Sequence, residues 1–210
     1  MRTIYLIAGL LTALALGACA TEYPPQSKKV ETPSPAASPS MAGMNDMMKS
    51  SPNAAGAPYD LQFIDTMSMH HQSAIDMAKM TEMQAQHAEL KALAKSIVSD
   101  QQKEIAEMKA WRDEWYAAKP QAMNMEMPGM MDAMKGMDMG KLKSATSKAF
   151  DLMFIDMMTA HHAGAVTMAK EALTKAEHQE IKKLAQQIIV AQQKEIEQMS
   201  KWRAAWVGAK

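Results

Sequence analysis

Residues 67–79, MSMHHQSAIDMAK, and residues 158–170, MTAHHAGAVTMAK, are two versions of one segment set 91 positions apart. Each holds an adjacent histidine pair between methionines. The chain has six histidines, and all obey that offset: His70 with His161, His71 with His162, His87 with His178. Extended outward, 60–115 aligns on 151–206 without a gap, and 28 of the 56 positions are identical. The body of the chain is a duplicated unit.

Each unit reads as two helices joined by a turn. Phe63, Met67, His70, Ala74 and Met77 follow a 4-3-4-3 spacing, which predicts a helix over 59–81 with one buried face. Leu90, Ala94, Ile97, Gln101, Glu104, Met108, Trp111 and Trp115 form the seam of a second helix over 88–116, with the turn near 84–87. Trp111, Trp115, Trp202 and Trp206 fall at the helix ends and read as core there. Low aromatic content and abundant Ala, Lys, Gln, Glu and Met agree with helix throughout. A unit of two helices is too small to bury both apolar faces alone. The fold expected is therefore all-α, a cooperative four-helix bundle built from repeats at 59–116 and 150–207.

The remaining segments have other compositions. Residues 1–18, with Arg2 ahead of a short apolar run, read as a signal peptide. LGAC at 16–19 resembles a lipobox, with Cys19, the sole cysteine, as the lipidated residue and membrane anchor. Residues 19–58 hold seven of the nine prolines and are expected to form a disordered tether. Residues 117–149 form a long crossover between the units, either functional or disordered. Basic and acidic residues balance at 23 each, so nothing suggests a nucleic-acid partner.

Twenty-four methionines exceed what gap-filling in a core requires. His70 occupies the apolar seam of its helix, where a polar ring requires a partner. Counting from the turn places His70 and His71 level with Gln101, and Met67 level with Glu104. Met158, His161, His162, Gln192 and Glu195 repeat the arrangement. Gln101, Glu104, Gln192 and Glu195 are expected to support the histidines from behind. In the crossover, Met123, Met125, Met127, Met130, Met131, Met134, Met137 and Met139 lie among Gly, Pro and Asp with no amphipathic period, and Met41, Met44, Met47 and Met48 lie similarly in the tether. These are expected to be exposed and to add Cu(I) capacity. Thioether sulfur selects Cu(I), imidazole accepts Cu(I) or Cu(II), and free thiols do not survive outside the cytoplasm. The donor set points to copper rather than zinc or iron.

The pattern DLxFIDxMxxHHxxAxxMAK, followed by H, LAxxI, QQKEI, M and WR, resembles the ferritin-like family known as domain of unknown function 305. That family includes CopM-like copper-binding proteins of the bacterial envelope. The resemblance covers 59–116 and 150–207. It implies a ferritin-like four-helix bundle and metal ligation by Met67, His70, His71, Met77, His87 and Met108, with Met158, His161, His162, Met168, His178 and Met199. The function expected is that of a non-enzymatic envelope lipoprotein, facing the periplasm, that sequesters, buffers or hands on copper, to an unidentified protein in the last case. Two alternatives remain. One is a helical envelope scaffold or stress protein whose buried His/Glu network only specifies the core. The other is a ferritin-like metal oxidase, disfavoured because no Glu-x-x-His pair occurs in the sequence.

Overall fold

The computed structural model describes residues 49–208. The signal segment, Cys19, and Met41, Met44, Met47 and Met48 lie outside the described residues. The fold is all-α, with no strand among the described residues. A single 3₁₀ turn at Ala54–Gly56 precedes α1 (Tyr59–Gln84), α2 (Ala88–Trp115), α3 (Met130–Met134), α4 (Met139–Ser144), α5 (Ser147–Lys175) and α6 (Gln179–Gly208). The turns at 85–87 and 176–178 fold α1 back on α2 and α5 back on α6. The two hairpins meet along α1 and α5. Their interior is apolar at both ends. One cluster joins Phe63, Met67 and Met108 to Met168, Ile181 and Ile188. The other joins Met77, Leu90 and Ile97 to Phe154, Met158 and Met199.

The hairpins are held in register by carboxylates that cap each other's helices. A helix start leaves backbone N–H groups without intrahelical acceptors. Neither α2 nor α6 has a Ser, Thr, Asp or Asn in the preceding position to supply one. Asp151 of α5 accepts instead from the backbone N–H of Gln86 and of His87, at 3.0 Å each, and from the His87 ring at 2.5 Å. Asp60 of α1 does the same for Glu177 and His178, at 3.0 and 2.9 Å, and takes the His178 ring at 2.6 Å. Both carboxylates are buried. The far face of each imidazole is covered by tryptophan: Trp206 stacks on His87 at 3.7 Å, and Trp115 on His178 at 3.8 Å. Every partner in one end has its counterpart 91 residues away in the other, so the hairpins are related by a pseudo-two-fold.

Two expectations are corrected here. The end of the tether is ordered: the Ser51 N–H donates to Met123 O, the Ser50 hydroxyl oxygen accepts from the Met125 N–H, and Ala54 is buried. The crossover is not a loose loop with exposed methionines. Met123, Met125, Met127 and Met130 are buried in the first apolar cluster, and Met134, Met137 and Met139 are half-buried. Only Met131, 63% exposed, points to solvent. The segment is a strap laid over α1 and α5. Its first part is fastened by polar contacts: the Ala122 N–H donates to Asp65, the Asn124 N–H to the Thr66 hydroxyl, and the Asn124 amide to Gln62. Farther on, the backbone of Gly129 lies so close to Gly164 that a Cβ on Gly129 would fall 2.3 Å from the Gly164 carbonyl oxygen. Gly129 also has φ +84°, a conformation that costs a residue with a Cβ extra energy. The first repeat has Ser73 where the second has Gly164, and that difference is what admits the strap.

Removing Asp60 or Asp151 leaves buried N–H donors unsatisfied, so Asp60→Ala or Asp151→Ala should each cost about 3 kcal/mol. Asp156→Ala, which removes a half-exposed partner of Arg203, should cost less than about 1 kcal/mol. Urea unfolding monitored by tryptophan fluorescence checks the ranking; similar losses from all three would contradict it.

Candidate metal centre

Between the two apolar clusters lies a layer of polar side chains supplied by all four long helices. The helical spacing that places Phe63 and Met67 inward also turns His70 inward, and the repeat does the same for His161. The two rings meet at the contact of α1 with α5, centroids 3.7 Å apart and planes 36° from parallel. His71 and His162 are turned about 100° away along their helices and reach the second helix of their own hairpin. There the His71 Nε2–H donates to Glu104 at 2.6 Å and the His162 Nε2–H to Glu195 at 2.8 Å. All four imidazoles are buried, with exposures of 0–1%. Gln101 and Gln192 are also buried in the layer.

Most of the layer's polar atoms have no partner. Both ring nitrogens of His70 and of His161, Nδ1 of His71 and of His162, and Oε1 of Gln101 and Gln192 are buried without a hydrogen bond. An unsatisfied buried group costs about 1–3 kcal/mol. The carboxylates determine what the layer can offer: with Nε2 donating to glutamate, a neutral His71 or His162 keeps its bare lone pair on Nδ1, facing the layer. Carboxylate–imidazole pairs orient metal-ligating histidines in this way. Burial pushes His70 and His161 well below the usual histidine range, and the neighbouring imidazoles push them further. Both rings are therefore neutral at pH 7 and able to ligate. Among the described residues no three His, Cys, Asp or Glu side chains converge on one point. The stacked rings would have to turn, or thioethers contribute, to complete a coordination shell.

The methionines expected as ligands are all fully buried but not equally placed. Met67 and Met158 precede His70 and His161 by one turn. The Ser68 hydroxyl donates to the Met108 sulfur at 3.8 Å, which places Met108 about one turn from the His71–Glu104 pair, on the side of Met67; Met199 is its repeat counterpart. Met77 and Met168 lie seven residues beyond His70 and His161, about 10 Å along the helix, in the apolar clusters. The structure does not bring His87 and His178 to the layer. They lie at the hairpin turns, with Nδ1 committed to Asp151 and Asp60. Glu104 pairs with His71, and the repeat pairs Glu195 with His162. The sequence reading missed Asp60 and Asp151 as capping residues and the stacking of His70 on His161 across the hairpins. Their identity in both repeats was the available signal.

Comparison with known proteins accords with this architecture. The profile of the domain of unknown function DUF305 matches residues 18–112 and 60–203. The chain belongs to the DUF305 family. Among solved structures it is similar to CopM in its Cu(I)-bound form, with 41% identity, a TM-score of 0.61, and 71% of this chain and 98% of that one covered. The Cu(II)-bound form of CopM matches at 44% identity and TM-score 0.61, covering 70% and 97% of the two chains. A Streptomyces coelicolor DUF305 protein described as secreted matches at 31% identity and TM-score 0.62, over 72% and 95%. No functionally curated protein sequence matches the chain.

The buried neutral histidines make metal-free stability depend on pH. Their folded-state pKa lies below the ordinary value of 6.5, so as pH falls the unfolded chain takes up protons first. Stability is therefore intact above about pH 6.5. Below it, stability falls by about 1.4 kcal/mol per pH unit for each of the two histidines, until the pH reaches the folded-state pKa. Urea unfolding of metal-free protein between about pH 7.5 and 5.5 checks this. Constant or rising stability toward acid would show that the layer holds protonated imidazole.

Proposed function

We propose that this DUF305 protein binds copper in the buried histidine layer and acts outside the cytoplasm to sequester, buffer or hand on the ion. The observation that carries the proposal is the set of buried ring nitrogens without a protein partner: both of His70 and of His161, and Nδ1 of His71 and of His162. The site favours Cu(I). A monovalent ion costs less to desolvate than a divalent one, and thioethers such as Met67 and Met158 are soft ligands. The likeness to CopM, solved with Cu(I) and Cu(II), supports the same ion here. The secreted description of the Streptomyces relative supports a location beyond the cytoplasm.

The finer reading completes this picture. Residues 1–18 act as a lipoprotein signal and Cys19 carries the lipid, so a Cys19→Ser variant should leave the membrane fraction. The two hairpins form a single ferritin-like four-helix bundle without enzymatic activity. A second reading, in which the histidines serve only core specificity, is favoured by the His71–Glu104 and His162–Glu195 pairs. It leaves the six other ring nitrogens unexplained, and a half-satisfied polar network is worse for stability than an apolar core.

Native mass spectrometry of the mature protein with Cu(I), Cu(II), Zn(II) and Fe(II) in competition tests the proposal. Cu(I) should be retained preferentially, and replacing all four layer histidines by alanine should weaken its binding at least about a hundredfold, the scale on which a ligand set is lost. Retention of Cu(I) regardless of those substitutions would overturn it.

A further inference from the structure

The histidine layer is buried, and among the described residues the strap lies against α1 and α5 next to it, at Ser73 and Gly164. Helix ends are latched on both sides by Asp60–His178–Trp115 and Asp151–His87–Trp206, so parting the hairpins to admit an ion would break several buried hydrogen bonds at once. The strap is held unevenly. Residues 122–124 are fastened to α1 by the buried bonds described above. Beyond Gly129 the strap is held by apolar packing, with Met130, Ala133 and Leu142 buried, and by few hydrogen bonds: the Ser73 hydroxyl donating to the Met137 sulfur at 3.8 Å, and the Gln84 amide donating to the carbonyls of Lys143 and Ala145.

The points where the strap touches the helices are informative. Ser73 and Gly164 are equivalent positions of the repeat. Each lies three residues after the inward histidine of its helix, His70 or His161, on the adjoining surface one turn along. Gly129 and Ala133 rest on Gly164, and Met137 rests on Ser73. Residues 129–137 therefore run from one repeat to the other over Gly164 and Ser73, one turn along from His161 and His70. The same stretch carries thioethers at graded depth: Met131 exposed, Met134, Met137 and Met139 half-buried, Met130 fully buried.

We propose that residues 129–139 form a second, transient site for a soft monovalent cation and act as the loading gate of the histidine layer. Met131, Met134, Met137 and Met139 capture the ion at the surface. The half of the strap beyond Gly129, packed on the helices without a fully buried hydrogen bond, then lifts from Gly164 and Ser73, and the ion passes to the imidazoles as the strap settles back. Thioether ligation suits transfer because the ligand is neutral, carries no proton to displace, and binds each ion weakly enough to release it. The polar fastening at 122–124 serves as the hinge. The proposal rests on the layer being the copper site.

The test is the rate at which full-length mature protein takes Cu(I) from its bicinchoninate complex, followed by loss of the complex's absorbance, together with the final affinity. Replacing Met131, Met134, Met137 and Met139 by leucine preserves volume and packing, a change that cores tolerate, but removes sulfur. Loading should slow at least about tenfold while the final affinity stays within about threefold, because the imidazoles are untouched. Gly164→Ser, which restores the first repeat's residue, places a Cβ 2.5 Å from that of Ala133 and lifts the strap. Loading should then quicken with affinity again little changed. A leucine variant that loads at the wild-type rate, or a Gly164→Ser variant that loads no faster, overturns the proposal. Failure of the underlying copper reading would look different: wild-type protein would then show no tight Cu(I) uptake to time.

Discussion

Four buried imidazoles at the crossing of two helices are the constraint on which this structure turns. An imidazole removed from water must find partners or weaken the fold. Here the fold supplies partners for only two of the eight ring nitrogens, through Glu104 and Glu195. A protein that needed the layer only for register could have placed leucine at 70 and 161 and gained stability. Instead the elements around it keep all four rings buried, and burial holds His70 and His161 well below the usual histidine range. Apolar clusters close it above and below, the strap covers its side, and glutamates orient the outer pair. On the proposed reading, the nitrogens that the protein leaves without partners are the ones that would hold the metal.

Holding such a layer requires strong support elsewhere. The cross-hairpin caps provide it at the ends of the long helices, where each buried carboxylate satisfies two backbone donors and a histidine whose other face lies on tryptophan. Those contacts use repeat-equivalent residues and so come in symmetric pairs. The strap is the asymmetric element. It exists because a duplicated hairpin needs one connection between its copies, and Gly164 opened a place on α5 for it that Ser73 does not offer on α1. Duplication produced the site, and the connection between the duplicates became its cover.

Much of this was legible in the sequence. Helical spacing around His70 and the 91-residue register point to two hairpins, and the helices observed at Tyr59–Gln84 and Ala88–Trp115 lie within three residues of the periodicity. The seam position of His70, level with Gln101, also places the polar layer. What stayed hidden is what depends on contacts between distant segments. Asp151 caps a helix that starts 63 positions before it, and no local motif marks this. The crossover methionines have no period because irregular backbone, folded against Gly164, buries them. A reading based on amphipathicity therefore takes them for exposed. His87 and His178 shared the register of the layer histidines, but register alone cannot separate a ligand from a latch.

The central claim is tested most directly by replacing the stacked pair with apolar residues, His70→Leu with His161→Leu, and measuring thermal stability with and without Cu(I). If the layer is a metal site whose metal-free form carries unsatisfied nitrogens, the variant should unfold at a higher temperature than the metal-free wild type. Cu(I), which should raise the wild-type midpoint by several degrees or more, should then leave the variant nearly unchanged. A variant less stable than the metal-free wild type, yet still stabilised by Cu(I) to the same extent, would contradict the account.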